Sequence, residues 1–177
     1  MHLRNFRRKP AAVAATTMLA LGALAGTAAA VLTGSSGSSQ VRMDNLGDTA
    51  TQHTSSTVWD NLIGSEMSIA VQESRLINAR FTAQSKCYNG FGPCAVRIIA
   101  INVATGATIE LDPASGTGFA FDAVSPGVHD ETGEDHAMER SYRLPAGTYR
   151  LRVQFAVTSP LTKFLLANWH LAVETSA

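Results

Sequence analysis

The chain has 177 residues, 45% of them hydrophobic and 16% charged, with fourteen basic and fourteen acidic residues and a formal net charge of zero. Four of the basic residues (Arg4, Arg7, Arg8, Lys9) precede Pro10, and no acidic residue occurs before Asp44. Beyond residue 30 the chain therefore carries ten basic against fourteen acidic residues, a net charge of about −4. That balance lacks the footprint of a nucleic-acid binder, and it disfavours strong attraction of the mature chain to a membrane of anionic lipid.

A basic start, a weakly apolar middle from Ala11 and the small-residue end Ala28-Ala29-Ala30 predict a secretory signal peptide over residues 1–30, hence an extracellular, secreted protein. Ala11–Thr33 is also long enough to span a bilayer as a retained anchor. Its Ala, Thr and Gly content makes insertion weak. Arg7-Arg8 admits a twin-arginine signal, but Lys9-Pro10 stands where that signal has a bulky apolar residue. Residues 31–40, with Thr33–Gln40 reading Thr-Gly-Ser-Ser-Gly-Ser-Ser-Gln, form a flexible Gly/Ser linker by composition. The remainder, 41–177, is long enough to bury a core as a single domain.

From Val41 onward the pattern is that of strands. Val41–Leu46 is a short candidate, and Thr54–Leu62, with Trp59, an edge-type extended segment. Met67–Gln72 and Ile77–Ala83 alternate apolar and polar residues, the signature of half-buried strands. Cys94–Val103 is a nearly continuous apolar run. Thr105-Gly106 suits a tight hairpin into Thr108–Leu111, and Gly118–Asp122 reads as a further short strand. Ser125–Asp135 is a polar loop, and His136–Leu144 a strand. The last two runs are the clearest. Tyr149, Leu151, Val153, Phe155 and Val157 fall on one side, with Arg150, Arg152 and Gln154 on the other. Leu165, Ala167, Trp169, Leu171 and Val173 share the next inward face. These two runs are expected to pair as a long antiparallel hairpin. About eight to ten strands predict an all-β, antiparallel, jelly-roll-like β-sandwich.

Cys87 and Cys94 are the only cysteines, and in a secreted chain they read as a disulfide pinning a hairpin tip. Their spacing does not match a redox motif or a zinc site. Tyr88 and Phe91 lie inside that loop and are candidate ligand contacts on a rigid tip. Arg150, Arg152 and His170 are candidate contacts as outward strand residues. His129, Asp130, Glu131, Glu134, Asp135 and His136 form the one chemically dense cluster, able in principle to hold calcium or zinc. It lacks the calcium-loop pattern and any His-Glu-x-x-His, so a solvated acidic loop is the default reading. No Gly-x-Ser-x-Gly accompanies the scattered Ser and His residues of the domain.

Taken together, Phe81–Cys87, Cys94–Ile98, Pro113–Asp122, His136–Ser141, Ala146–Tyr149 and Asn168–Leu171 resemble a group of small uncharacterised secreted bacterial proteins. Strand order and the final pair also look like the jelly roll of the complement globular-head and tumour-necrosis-factor type. The first resemblance implies a fold and no activity. The second implies the possibility of a homo-oligomer. The leading expectation is a non-enzymatic secreted module that binds a carbohydrate, surface polymer or protein and needs no cofactor. The alternatives are a self-associating structural module and a metal-dependent hydrolase built on the 129–136 cluster.

Overall fold

The structure, a computed structural model, describes residues 32–37, 41–114, 120–125 and 132–176. The expected signal peptide and His129, Asp130 and Glu131 lie outside the described residues. The described chain is built from strands: β1 (Leu32–Gly37), β2 (Val41–Asp48), β3 (Gln52–Thr54), β4 (Asp60–Asn61), β5 (Met67–Val71), β6 (Arg75–Tyr88), β7 (Gly92–Asn102), β8 (Thr108–Glu110), β9 (Asp122–Val124), β10 (Glu134–Leu144), β11 (Gly147–Val157) and β12 (Lys163–Ser176). They form two antiparallel sheets facing each other. The first runs β1-β2-β12-β6-β10, with β3 continuing the β2 side of β12. The second runs β4-β11-β7-β8, with β5 beside β4 on β11 and β9 beside β8 on β7. The sandwich expected from the alternation is present.

Period-two patterning selects the inward faces. On β6, Ile77, Ala79, Phe81, Ala83, Ser85 and Cys87 are buried, and on β11 Tyr149, Leu151, Val153, Phe155 and Val157. Between the sheets an aromatic cluster fills the space. Phe81 lies 6.4 Å from Trp169 and 5.7 Å from Phe121, and Phe164 lies 5.9 Å from Phe155. Trp169 is core, as its position on the strand predicts.

Several expectations are corrected. The expected hairpin of the last two runs does not form: β11 pairs with β7, and β12 with β2 and β6, in the opposite sheet. Alternation says which side of a strand faces the core, but two strands facing each other across that core carry the same pattern. For the same reason Cys87 and Cys94 do not pin a hairpin tip. They are bonded to each other, and since β6 and β7 belong to different sheets the bridge staples sheet to sheet.

The inward face of β12 also changes phase. Phe164 and Leu166 are buried ahead of a bulge between Ala167 and His170, and Trp169, Leu171 and Val173 after it, so Leu165 does not share their face. Asn168 takes φ 49° at the bulge, a left-handed conformation that asparagine tolerates better than most residues. Of the expected strand Gly118–Asp122, residues 118 and 119 lie outside the described residues, and the described part enters a strand only at Asp122, in Asp122–Val124. There β7 offers partners, while Phe121 turns into the core and its amide bonds Cys94 O.

The predicted linker is partly a strand: Leu32 to Gly37 pairs with Gly47 to Arg42. The pairing rests on backbone groups along the free side of β2, so Gly and Ser composition does not forbid it. At the opposite border, β10 presents Glu134, Asp135, Glu139 and Arg143 to solvent, and charges of this kind blunt edge-to-edge association.

Candidate functional site

The first sheet presents an outer face built from β2, β12, β6 and β10, and register sets it out in rows. One row is Met43, Glu174, Asn78 and Ser141; the next is Asn45, Ala172, Arg80 and Glu139; the third is Gly47, His170, Thr82 and Ala137. Ala172, Gly47 and Ala137 have little or no side chain, so the middle of the face sinks. The result is an open groove of about 510 Å³ crossing the strands, walled by Met43, Glu174, Arg80, Glu139 and His170. Four strands at a spacing of ~4.8 Å give it a length of ~14 Å between outer strand axes.

Its polar groups are arranged but not satisfied. Asn78 Nδ2 donates to Glu139 Oε1 at 2.7 Å. This fixes the amide and leaves Asn78 Oδ1 buried without a partner. Buried acceptors are ordinarily paired, so this one stands out. Among the described residues the side chains of Arg80, His170 and Glu174 form no hydrogen bond or ion pair.

The outer face of the second sheet is the contrast. Arg152 and Arg150 both engage Glu66, the latter at 3.5 Å. The hydrogen bond from Arg152, reinforced by the charges of both arginines, holds the Glu66 carboxyl below its ordinary pKa against the opposing effect of burial. Arg97 reaches Glu110 at 3.1 Å and Gln154 at 2.8 Å, and Gln154 reaches Asn61. Trp59, half-exposed, lies 4.5 Å from the Arg97 guanidinium. The ion pairs of that face close within it, although Arg150 Nε is buried without a partner. In a depression of about 540 Å³ beside β3 and β4, Gln52 bonds both the amide and the carbonyl of Ile63.

The candidate residues read from sequence are thus split among three places. His170 lines the groove. Arg150 and Arg152 lie on the opposite sheet, committed to Glu66. Tyr88 and Phe91 stand at the disulfide end. The sequence reading missed Asn45, Asn78, Arg80, Glu139 and Glu174. Their signal was available as the polar half of each alternation, but only register brings them together.

The acidic cluster does not assemble from its described part. Glu134 and His136 share a side, with His136 Nε2 3.7 Å from Glu134 Oε2. Asp135, next to both on the strand, points to the other side. Among the described residues no three His, Cys, Asp or Glu side chains gather where they could hold a metal ion.

His136 instead turns inward, its Nδ1 2.8 Å from Ser85 Oγ, which is itself 2.7 Å from Asp122 Oδ2. A carboxylate only accepts, so the Ser85 proton goes to Asp122 and His136 Nδ1–H donates to Ser85. The imidazole therefore does not act as a base toward that hydroxyl, which is fully buried. The trio ties β6, β9 and β10 together. Nearby, burial lowers the pKa of the Arg140 guanidinium, partly offset by Glu110.

No family model matches the chain, and no curated protein matches it. Among solved structures, the CBM22-1 xylan-binding domain of Paenibacillus barcinonensis Xyn10C is similar at 13% identity and a TM-score of 0.31, covering 82% of this chain and 81% of that one. A likeness of that quality fixes no site, and the function has to be argued from this chain's own geometry.

Proposed function

We propose that the protein is an extracellular, non-catalytic binding module, and that its ligand is a neutral polyhydroxylated chain, a carbohydrate, laid across the groove of the first sheet. The observation that carries this is the contrast between the two outer faces. One pairs its charges internally. The other holds Arg80, His170 and Glu174 uncommitted, with the buried Asn78 Oδ1 lacking a donor. A hydroxyl both donates and accepts, so it can serve the Arg80 donors, the Glu139 and Glu174 acceptors and the Asn78 carbonyl together. Two carboxylates against one guanidinium disfavour an acidic ligand. The leader expected from the sequence and the disulfide support secretion.

The groove is open and, among the described residues, no Trp, Tyr or Phe lines it, so binding rests on hydrogen bonds, and a Kd of ~10 μM to 1 mM is expected. Affinity electrophoresis in gels of neutral polysaccharides, followed by calorimetry with the matching oligosaccharide, tests the reading. Arg80→Ala and Asn78→Ala should each weaken binding at least tenfold, while Arg152→Ala on the opposite face leaves it unchanged. Retention by no neutral polysaccharide, or retention that both groove variants preserve, overturns it.

A further inference from the structure

The outer face of the first sheet does not end at β10. Asp112, two residues after β8, pairs with Ser141 along the far side of β10. Its amide donates to Ser141 O at 2.9 Å, and its carbonyl accepts from Ser141 N at 2.8 Å. One bridge thus carries the sheet a step beyond β10. Directly opposed residues share a side, and Leu111, the residue before, is buried. Asp112 therefore faces outward and continues the row Met43, Glu174, Asn78 and Ser141.

A second depression of about 320 Å³ lies there, lined by Leu76, Asp112, Pro113 and Ser141. Asn78 and Glu139 line it as well as the groove, so a chain leaving the groove passes over this hydrogen-bonded pair into the second hollow. At the other end the sheet continues into β1. Gly34 stands opposite Asn45, and a Cβ built on it would meet nothing within 4 Å. The row of Asn45, Ala172 and Arg80 therefore runs out over a residue without a side chain. From β1 to Asp112 the face is ~24 Å across, at ~4.8 Å for each step between strands.

The two hollows differ in chemistry. The groove offers mainly hydrogen-bonding groups. The second hollow adds apolar surface from Leu76, 37% exposed, and from the exposed Pro113 ring. Beside them stand the Ser141 hydroxyl and the Asp112 carboxylate, whose side chains form no hydrogen bond or ion pair among the described residues. A sugar ring has the matching parts, C–H groups on its faces and hydroxyls at its rim, and apolar lining with a few placed polar groups is what holds such a ligand.

We propose that Leu76, Asp112, Pro113 and Ser141 form a second subsite, and that the ligand is an internal segment of a long neutral polysaccharide running from the groove into it. The proposal rests on the groove reading and adds a direction and a length to it. A cleft closed at one end selects chain termini, whereas this face is open over Gly34 and continues past β10. Contact with Leu76 and Pro113 supplies the apolar burial and dispersion that the groove lacks.

The test is calorimetry with an oligosaccharide series, from disaccharide to hexasaccharide, cut from a retained polysaccharide. Affinity should climb at least tenfold with length and level off once the chain fills both hollows. Leu76→Ser with Asp112→Ala should return the long oligosaccharides to the affinity of the shortest one that binds, without weakening that one. Asp112→Ala alone changes an exposed side chain and keeps the backbone bridge, so it should remove several-fold of the gain at an unchanged melting temperature. Arg80→Ala should weaken every length alike. On the intact polymer, saturation should reach several protein molecules per chain. Equal affinity across the series, a length gain that both subsite variants preserve, or saturation at one protein per chain end overturns the subsite, and the groove reading stands if Arg80→Ala still weakens binding. Absence of binding at every length overturns the groove reading and this proposal with it.

Discussion

Removing the Cys87–Cys94 bridge tests the architecture most quantitatively. The two residues are seven positions apart, and the chain-entropy relation gives about 2.4 kcal/mol for a loop of that size. Both are buried, Cys94 completely, so a double Cys87→Ala/Cys94→Ala variant also loses packing worth about 1.5 kcal/mol, two methylene equivalents. The expected total is about 4 kcal/mol. With a urea m value of ~2 kcal/mol/M, reduction alone should lower the unfolding midpoint by ~1.2 M and the double alanine variant by ~2 M. Hydrogen exchange supplies the location. Because β6 and β7 belong to different sheets, breaking the bridge should raise exchange around Cys87 in the first sheet and around Cys94 in the second. A midpoint shift below ~0.3 M on reduction, or an exchange change confined to residues 88–93, would refute the inter-sheet staple.

Other substitutions probe other parts of the account. Trp169→Ala should cost ~3–5 kcal/mol as a core truncation. Trp169→Phe should cost far less, because it also removes the indole N–H, a buried donor without an acceptor whose burial carries a penalty of ~1–3 kcal/mol; equal costs in chemical denaturation would show that the N–H is satisfied. Asn168→Gly should be nearly neutral at the bulge, and Asn168→Val should cost ~1–2 kcal/mol because φ 49° is left-handed; a neutral valine would place the bulge elsewhere. Glu66 has a depressed folded pKa, so its contribution is present above the unfolded carboxylate pKa and is lost as pH falls through the folded one. Glu66→Gln should therefore be less stable at pH 7, by under ~1 kcal/mol because the pair is solvent-screened. The gap should close in acid, and a gap that persists at pH 2 would contradict the ion-pair reading.

Strand positions were legible because alternation is a local property. β11 shows this most clearly, its five inward residues and outward arginines all readable from the chain. Partnership was not legible. β11 and β12 are adjacent in sequence and complementary in pattern, yet they face each other across the core instead of pairing, a choice made by the whole set of strands. The bulge at Asn168 escaped because strict alternation was carried through a residue whose identity was the available hint. β1 escaped because backbone pairing leaves no mark on a Gly/Ser composition.

The site was hidden for the same reason as the pairing. Asn45, Asn78, Arg80, Glu139 and Glu174 are ordinary outward residues singly, scattered over 130 positions of chain. Only the register of four strands turns them into a groove.

The central claim is that the ligand lies across the first sheet's outer face. Amide chemical-shift mapping tests it most directly, titrating the labelled protein with neutral oligosaccharides that match a retained polysaccharide. The account predicts shifts concentrated at residues 43–47, 78–82, 137–141 and 170–174, and their loss in Asn78→Ala. Shifts centred on Trp59, Arg97 and Arg150–Gln154, or no shift with any neutral oligosaccharide, would contradict it.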